Sequence, residues 1–444
     1  MSDSPLARLH APHGKRTMRA TLLVATLLGS LLTSPEAQAG GFHNPDLGVR
    51  KTGMFSVVGK PDDPTALFHN PAGLTLLEGT QLYAAGTAAI VDMGLRMYDS
   101  EGELHPRDHE ITPTTYYGLS PFLGVVSDFD TERLRVALGL YAPNFYGAFL
   151  PEDEPTRYHI TEGFFVAAHS TLAAAYEVSD QFSFGGGLSL VYVRMEMKQF
   201  MNPLVLQNPD LRFSDDPSVR DSDLRMSVVG DDFTYTWNFG LLFHPFPELG
   251  LGASFTSGAA MDLQGKVKLT PNDGATMETG QTTEMVIPFT LRAGLNWGFA
   301  PNFEIGIDIN WWHYQVLQEQ VTRLDQPLVG MSELRSPKNY TNSWNWSVGL
   351  LHNLFDDVDI MCGYQEDYTP IPTTTFSLDN PTQNMHGIAM GTRWRISETV
   401  STGASVVRNW YELIDVQDNQ NNPPANVKGR GANLEVASEV SVTF

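Results

Sequence analysis

The sequence predicts an all-β fold: a transmembrane antiparallel β-barrel of about 14 strands with an N-terminal hatch inside its lumen. Apolar and polar residues alternate with a period of two over segments of roughly ten residues, a length that suits tilted strands crossing a bilayer. The linkers between these segments are alternately short and long. No apolar run reaches the roughly 18 residues that a membrane-spanning helix requires.

Residues 1–39 are predicted to be a signal peptide. Basic residues precede the apolar stretch 20–32, and Ala37 and Ala39 provide the small residues of a cleavage site. Either Met1 or Met18 would serve as the start of such a signal. A short buried helix is the alternative, but it does not account for basic, apolar and small residues in this order. Export predicts a place in the outer membrane of a Gram-negative bacterium.

Composition excludes several classes of protein. Lys and Arg number 28 against 51 Asp and Glu, a net charge of −23, which argues against binding to nucleic acid. Charged residues make up 18% of the chain, fewer than in an average soluble domain. Cys362 is the single cysteine, so neither an internal disulfide nor a cysteine-based metal site is expected. No metal or other cofactor is predicted.

Residues 40–79 do not alternate and are rich in Gly, Pro and Asn. An Asn-Pro pair forces an extended or turning backbone, and a glycine three residues on relaxes it. Too compact in composition for a linker, this segment is predicted to fold as the hatch. Its densest motif consists of Asp63, Asn70, Pro71, Ala72, Gly73 and Leu74.

Residues 80–444 are predicted to form the barrel, and the last strand shows the pattern best. Between 433 and 444 the apolar residues share one parity and the polar residues the other, as in a strand with one apolar face. Short turns then lie on the periplasmic side and long loops, such as 199–231, 264–283 and 317–339, lie outside. The strand segments are 81–95, 118–128, 133–146, 164–178, 182–198, 232–244, 249–263, 284–298, 302–316, 340–353, 357–367, 385–396, 400–411 and 432–444.

The chain resembles the FadL/TodX-like outer-membrane transporters of long-chain fatty acids and aromatic hydrocarbons. The resemblance rests on an aspartate, Asp63, followed seven residues later by Asn-Pro-Ala-Gly-Leu, and on similar segments at 182–192, 337–344 and 363–372. It implies a hatch-closed barrel that takes a hydrophobic molecule through apolar grooves on its loops and releases it sideways. It also suggests that the C-terminal Phe444 is read by the outer-membrane assembly machinery.

The resemblance further implies an inward kink in the third strand, which opens the wall for lateral release. The alternation of that strand breaks at Ala142, Pro143 and Asn144, and Pro143 cannot donate a ladder hydrogen bond. A kink or bulge is therefore predicted there. The simpler alternative is that Pro143 ends the strand at a loop.

An external capture surface is predicted in the loop 199–231, where apolar residues stand among aspartates. The alternative is that these residues pack the loop against itself. The aspartates are expected to be solvated, although they could also hold Ca²⁺. The surface comprises Leu204, Val205, Leu206, Leu211 and Phe213.

Two arginines on polar parities, Arg292 and Arg393, are candidates for contact with a carboxylate head group in the lumen. Pairing with lumen acids is the competing interpretation. No motif of an enzyme is present, so catalysis is not predicted. The predicted function is outer-membrane transport of hydrophobic small molecules, with membrane lipid and lipopolysaccharide as neighbours. A general diffusion porin and a structural or adhesive barrel are the alternatives.

Overall fold

The computed structural model describes residues 47–272, 274–355 and 357–444, without the side chain of Thr115. The predicted signal peptide and the first residues of the predicted hatch, 40–46, lie outside the described residues. Within the described ranges no helix is both long enough and apolar enough to cross a membrane.

The strands belong to a single sheet, and every pairing in it is antiparallel. Their bounds are β1 Thr80–Tyr98, β2 Leu104–His105, β3 Thr115–Ser127, β4 Leu134–Phe149, β5 Glu162–Ser179, β6 Phe182–Met201, β7 Leu224–Phe246, β8 Leu249–Thr256, β9 Ala259–Pro271, β10 Met277–Ile287, β11 Thr290–Ala300, β12 Phe303–Trp312, β13 Glu319–Leu328, β14 Met331–Pro337, β15 Ser343–Leu354, β16 Val358–Asp367, β17 Met385–Arg395, β18 Val400–Tyr411, β19 Ile414–Val416 and β20 Val427–Thr443.

The sheet closes into a barrel of 14 strands, which confirms the predicted fold class and strand number. Strand β1 pairs with β3 on one side and with β20 on the other, from Gln81 opposite Thr443 to Met97 opposite Val427. The ring runs through β3 to β8, then through β11, β12 and β15 to β18, and returns to β20.

Four of the remaining strands, β9, β10, β13 and β14, lie largely in segments that the sequence predicts to be loops. Residues 264–283 and 317–339 were expected to be loops, but most of them form hairpins that continue the sheet beyond the ring. The predicted strand 249–263 breaks at residues 257–258, and 284–298 breaks at residues 288–289. Proline 288 cannot donate to the ladder and accounts for the second break.

Side chains alternate between the two faces of the wall as the sequence predicts. Leu172, Leu188 and Tyr235 are exposed on the outer face, whereas the neighbouring Thr171 and Ser189 are buried on the inner face. A barrel in a membrane requires this arrangement, because lipid solvates apolar side chains and the interior must satisfy the polar ones.

The N-terminal segment, residues 47–79, packs against inward-facing residues of strands around the ring. Glycines on the wall allow its backbone to approach closely. A Cβ at Gly349 would lie 2.0 Å from the carbonyl oxygen of Met54, and one at Gly252 would lie 1.9 Å from that of Val58. The helices are α1 Val49–Met54, α2 Ala66–His69, α3 Pro203–Gln207 and α4 Pro217–Asp221, with 3₁₀ helices Pro71–Leu76, Pro155–Tyr158, Pro209–Phe213, Tyr314–Val316 and Thr373–Thr375.

Candidate functional site

Asn70 joins two parts of the N-terminal segment to the wall. Its Oδ1 accepts a hydrogen bond from the amide of Ala72 at 3.2 Å and so caps the following 3₁₀ helix. Its Nδ2 donates to the carbonyl of Val58 at 3.1 Å and to that of Leu241 on β7 at 3.0 Å. The side chain is fully buried, and each of these bonds is made to a backbone group.

The other motif residues also shape this segment. Asp63 accepts hydrogen bonds from the amide and hydroxyl of Thr65 and thereby initiates helix α2. Gly73 lies against Pro61, and a Cβ there would come within 2.0 Å of the proline ring. Pro71 begins the 3₁₀ helix, in which the missing amide hydrogen costs nothing. Ala72 and Leu74 are fully buried.

The first half of the segment, residues 49–62, is held by polar groups on the wall. The carboxylate of Asp308 on β12 accepts hydrogen bonds from the amides of Val57 at 2.7 Å and Val58 at 3.1 Å. Glu439 on β20 accepts from the amide of Val49 at 2.7 Å and from the hydroxyl of Tyr83. Hydroxyls add two further bonds, from Ser347 to the carbonyl of Phe55 and between Thr52 and Ser405.

Ion pairs extend this polar contact at the periplasmic end of the lumen. Arg393 bridges to Asp62 at 3.0 Å and to Asp359 at 3.6 Å, and Arg50 bridges to Asp62 at 3.1 Å and to Glu304 at 3.3 Å. Burial raises the pKa of Asp62, but the surrounding cations outweigh burial and hold it well below its ordinary value. These groups line a cavity of about 480 Å³ whose walls are mostly charged or polar.

The second half of the segment, residues 63–77, meets an apolar part of the wall. Leu67, Phe68 and Leu74 pack with residues of β3, β4 and β5, including Phe122 and Tyr141. The ring of Phe68 meets that of Tyr141 edge-on, with centroids 5.5 Å apart. The guanidinium carbon of Arg292 lies over the Phe68 ring, 4.9 Å from its centroid.

An apolar patch covers the inner wall on the extracellular side of Phe68. His169 stacks on Tyr141 with ring centroids 5.1 Å apart and pairs across the sheet with Val191, where the patch begins. Inward-facing positions of a barrel are usually polar, so this buried apolar cluster is a part of the lumen whose chemistry suits apolar molecules. The inner apolar patch consists of Phe165, Ala167, Val191, Val193, Met261 and Leu263.

The ladder between β3 and β4 is interrupted beside this patch. Residues 119–121 of β3 do not pair with residues 142–145 of β4, and the pairing of β4 with β5 skips Ala142 and Pro143. Two prolines, Pro121 and Pro143, frame the interruption, and neither can donate a ladder hydrogen bond. We call this interruption of the ladder the wall gap. The predicted kink residues Ala142, Pro143 and Asn144 all lie at it. Pro121 was not predicted, because the strand around it alternates regularly.

The predicted capture surface divides into exposed and buried residues. Leu204 and Leu206 on α3 are exposed, whereas Val205 is buried with Tyr158 and Val219. Leu211 is partly buried against that same cluster, and Phe213 stacks on His105 with centroids 4.5 Å apart. Nearby, Asp216 caps α4 and Asp223 pairs with Arg157 at 3.0 Å. The described residues contain no group of three or more His, Cys, Asp or Glu arranged for a metal ion.

The two candidate carboxylate contacts differ in their surroundings. Arg393 is engaged by Asp62 and Asp359, so contact with substrate stays a prediction. Arg292 is 4% exposed and donates from Nη1 to the hydroxyl of Thr256 at 2.9 Å, while its buried Nη2 has no hydrogen-bond partner among the described residues. Arg292 therefore has a donor to offer at the floor of the inner apolar patch.

Several charged residues in the external loops are buried, which the sequence does not predict. Lys338 is buried and lies 3.4 Å from Asp379. Burial raises the pKa of Asp379, but the ammonium of Lys338 and hydrogen bonds outweigh it and leave that pKa below its usual value. Burial also lowers the pKa of His159 to about 3 and that of Arg212 to about 10. Nothing in the local sequence distinguishes these residues from solvated loop charges.

A closed barrel with lipid-facing side chains, an occupied lumen and an apolar inner patch defines the protein as an outer-membrane transport barrel. The family model described as outer membrane protein transport protein (OMPP1/FadL/TodX) matches residues 30–444, and the chain belongs to that family.

Curated relatives and solved structures agree with this assignment. The long-chain fatty acid transport proteins of Salmonella typhi and Escherichia coli K12 are 20% and 18% identical, with 88% of this chain and 91% of each relative covered. A Pseudomonas aeruginosa FadL homologue shares the fold with a TM-score of 0.79 at 16% identity, over 91% of this chain and all of the homologue. The Pseudomonas putida toluene transporter TodX has a TM-score of 0.67 at 15% identity, over 93% of this chain and all of TodX.

Proposed function

We propose that the protein carries hydrophobic small molecules, long-chain fatty acids or aromatic hydrocarbons, across the outer membrane by passive diffusion, with residues 40–79 as the hatch. The single observation that supports this most is the inner apolar patch, which ends at a wall gap rather than at an aqueous pore. A solute that gains about 0.8 kcal/mol per buried CH₂ follows such apolar sites and derives little from a water-filled channel.

Lateral release is the second part of the proposal. An apolar solute that continued toward the periplasm would have to cross the charged cavity around Arg50, Asp62 and Arg393. The wall gap offers a shorter route, because it opens at the height of Tyr141 and His169, beside the inner apolar patch. Burial of an apolar chain against ion pairs would be unfavourable, whereas the bilayer accepts it.

A carboxylate-bearing ligand is favoured by Arg292. A fatty acid lying in the inner apolar patch would direct its head group toward the floor, where Nη2 of Arg292 lacks a partner. A charge-assisted hydrogen bond to this buried donor would be strong. Arg292→Met is then expected to reduce uptake of oleate while leaving uptake of toluene unchanged, because an arene has no charge for the guanidinium to bind.

The experiment compares uptake of oleate by cells that produce the native chain, a Pro121→Val/Pro143→Val variant or no transporter. The double variant restores both missing amide donors, so uptake is expected to fall toward that of cells without the protein. A variant with Pro113→Val, a proline outside the ladder, serves as the control. Uptake by the native chain no faster than by cells lacking it would contradict the proposal.

Conductance in planar bilayers distinguishes transport from a general diffusion porin. The native chain should conduct few ions, because residues 47–79 bond to the wall on several sides. Native mass spectrometry of the detergent-extracted protein addresses the structural or adhesive alternative, which predicts no bound hydrophobic ligand.

A further inference from the structure

An apolar depression of about 410 Å³ lies on the outer, lipid-facing surface of the wall. Strands β1, β3, β4 and β20 contribute to it, so it spans the seam where the first and last strands of the ring pair. Its lining is almost entirely hydrocarbon, from Leu82, Leu123, Leu138, Leu140, Val440 and Val442.

Small residues on β1 account for the depression. Ala84 and Gly86 point outward, between large side chains on the neighbouring strands. A Cβ built on Gly86 would meet no atom within 4 Å, which shows open space above this strand. Gly86 pairs with Pro121, one of the two prolines that frame the wall gap.

The depression is continuous with the wall gap. Leu140 lines the depression and directly precedes Tyr141, the last residue of β4 that pairs before the interruption. From there the lining descends toward the periplasmic turns, since Leu82 pairs with Val442 two residues from the chain end. A molecule leaving the gap thus meets this surface before it meets bulk lipid.

We propose that this depression, the exit groove, binds the hydrocarbon chain of the transported ligand after its passage through the wall gap and guides the chain toward the inner leaflet. The inference rests on the proposed function, since it requires a ligand that leaves sideways. A lipid acyl chain is the competing occupant. The two differ in one respect: membrane lipid contacts all lipid-facing residues alike, whereas a bound ligand saturates one site.

The test uses the full chain in phosphatidylethanolamine and phosphatidylglycerol vesicles with a C18 fatty acid that carries a photoactivatable diazirine. Labelled residues are mapped by mass spectrometry. Leu123 and Leu138 in the exit groove are compared with Leu291 on β11, which is equally lipid-facing but lies half the ring away. Labelling at Leu123 and Leu138 should exceed that at Leu291 by about tenfold, corresponding to roughly 1.4 kcal/mol of preferential binding, and excess oleate should compete it away.

Ala84→Trp fills the exit groove, and Ala293→Trp places the same bulk on the opposite side of the ring. The first variant should lose the competable labelling and the second should keep it. Equal labelling at all three leucines, or labelling that oleate does not displace, would overturn the inference. If the native chain shows competable labelling but no uptake in cells, the proposed function fails, and with it the exit role, although the depression binds fatty acid. Uptake without competable labelling supports the proposed function and overturns the exit groove.

Discussion

The two halves of the N-terminal segment are held to the wall by different physics. Residues 49–62 meet carboxylates, hydroxyls and an arginine on β12 to β20, and most of their bonds involve backbone amides or ion pairs. Residues 63–77 pack instead through Leu67, Phe68 and Leu74 against an apolar wall on β3 to β5. Ion pairs and hydrogen bonds fix the first half in place. The second half exchanges hydrogen bonds mainly with β7 and β8, and toward β3 to β5 it relies on apolar contact area apart from the bond between Arg135 and Leu77.

This difference coincides with the position of the wall gap. The gap lies on β3 and β4, next to the half that is held by packing. Apolar contacts have no preferred direction, so side chains there can shift past one another at a smaller cost than breaking buried hydrogen bonds. The polar half therefore acts as the anchor, and the apolar half is the part that can yield to a passing ligand.

The largest expected effect comes from removing the arginine of the anchor. Arg393→Ala leaves the buried Asp63 and the partly buried Asp359 without their cation, and Asp62 with Arg50 alone, which should weaken attachment of the segment by about 4 kcal/mol. Conductance in planar bilayers should rise, and trypsin should cleave after Arg50 and Lys60. Arg395→Ala, two residues further along the same strand and exposed, is the matched control. A closed, protease-resistant Arg393→Ala protein would contradict the anchor role.

A smaller effect is expected in the apolar half. Phe68→Ala should cost about 3 kcal/mol, because it empties the space between Tyr141 and Arg292. Hydrogen exchange measured by mass spectrometry should accelerate in residues 66–77 and stay slow in residues 49–58. Phe68→Leu, which fills most of the same volume, should change exchange little. Equal acceleration in both halves would show that the segment opens as one unit.

Acid should loosen the anchor more gently. The folded state holds the pKa of Asp62 below its ordinary value, so the stabilisation is complete above about pH 4 and is lost as the pH falls further. Single-channel conductance should therefore increase as the pH falls below about 4, by less than Arg393→Ala increases it, because Arg393 still pairs with Asp359. Asp62→Asn should abolish this pH dependence, and its persistence in that variant would assign the effect to another group.

The smallest effect is expected for a single hydroxyl. Ser405→Ala removes the hydrogen bond to Thr52 and should cost about 1 kcal/mol. Exchange of the amides in α1 should accelerate slightly, with residues 66–77 unaffected. Ser401→Ala, on the same strand near its periplasmic end, is the control. A loss of attachment as large as that of Arg393→Ala would mean that a neutral hydrogen bond holds this half as strongly as an ion pair does.

Periodicity predicted the barrel well because the alternation of apolar and polar residues is a property of each strand by itself. The strand number and the face of residues such as Leu188 follow from alternation in a lipid environment. The hairpins of β9 with β10 and of β13 with β14 were missed because polar residues cover both faces outside the membrane, where alternation weakens. Alternation therefore indicates which part of each strand lies inside the bilayer, but it does not show how far the same strand continues into water.

Partners across the lumen were the part that sequence could not supply. Asp308 accepts hydrogen bonds from amides that lie 251 and 250 positions away in the chain. The sequence suggests lumen acids as partners of Arg393 but does not identify Asp62 and Asp359, to which Arg393 bonds. Parity determines which face a side chain occupies, and only the closed ring determines what stands opposite.

The bond between Val49 and Glu439 spans 390 positions of the chain. Glu439 belongs to the final strand, so the segment that is synthesised early has no anchor on that side until nearly the whole chain is present. Contacts this distant in sequence are slow to form, because the entropy of closing a long loop is lost before the contact can offset it. Docking of the N-terminal segment is accordingly expected to be a late folding event that coincides with closure of the ring between β1 and β20.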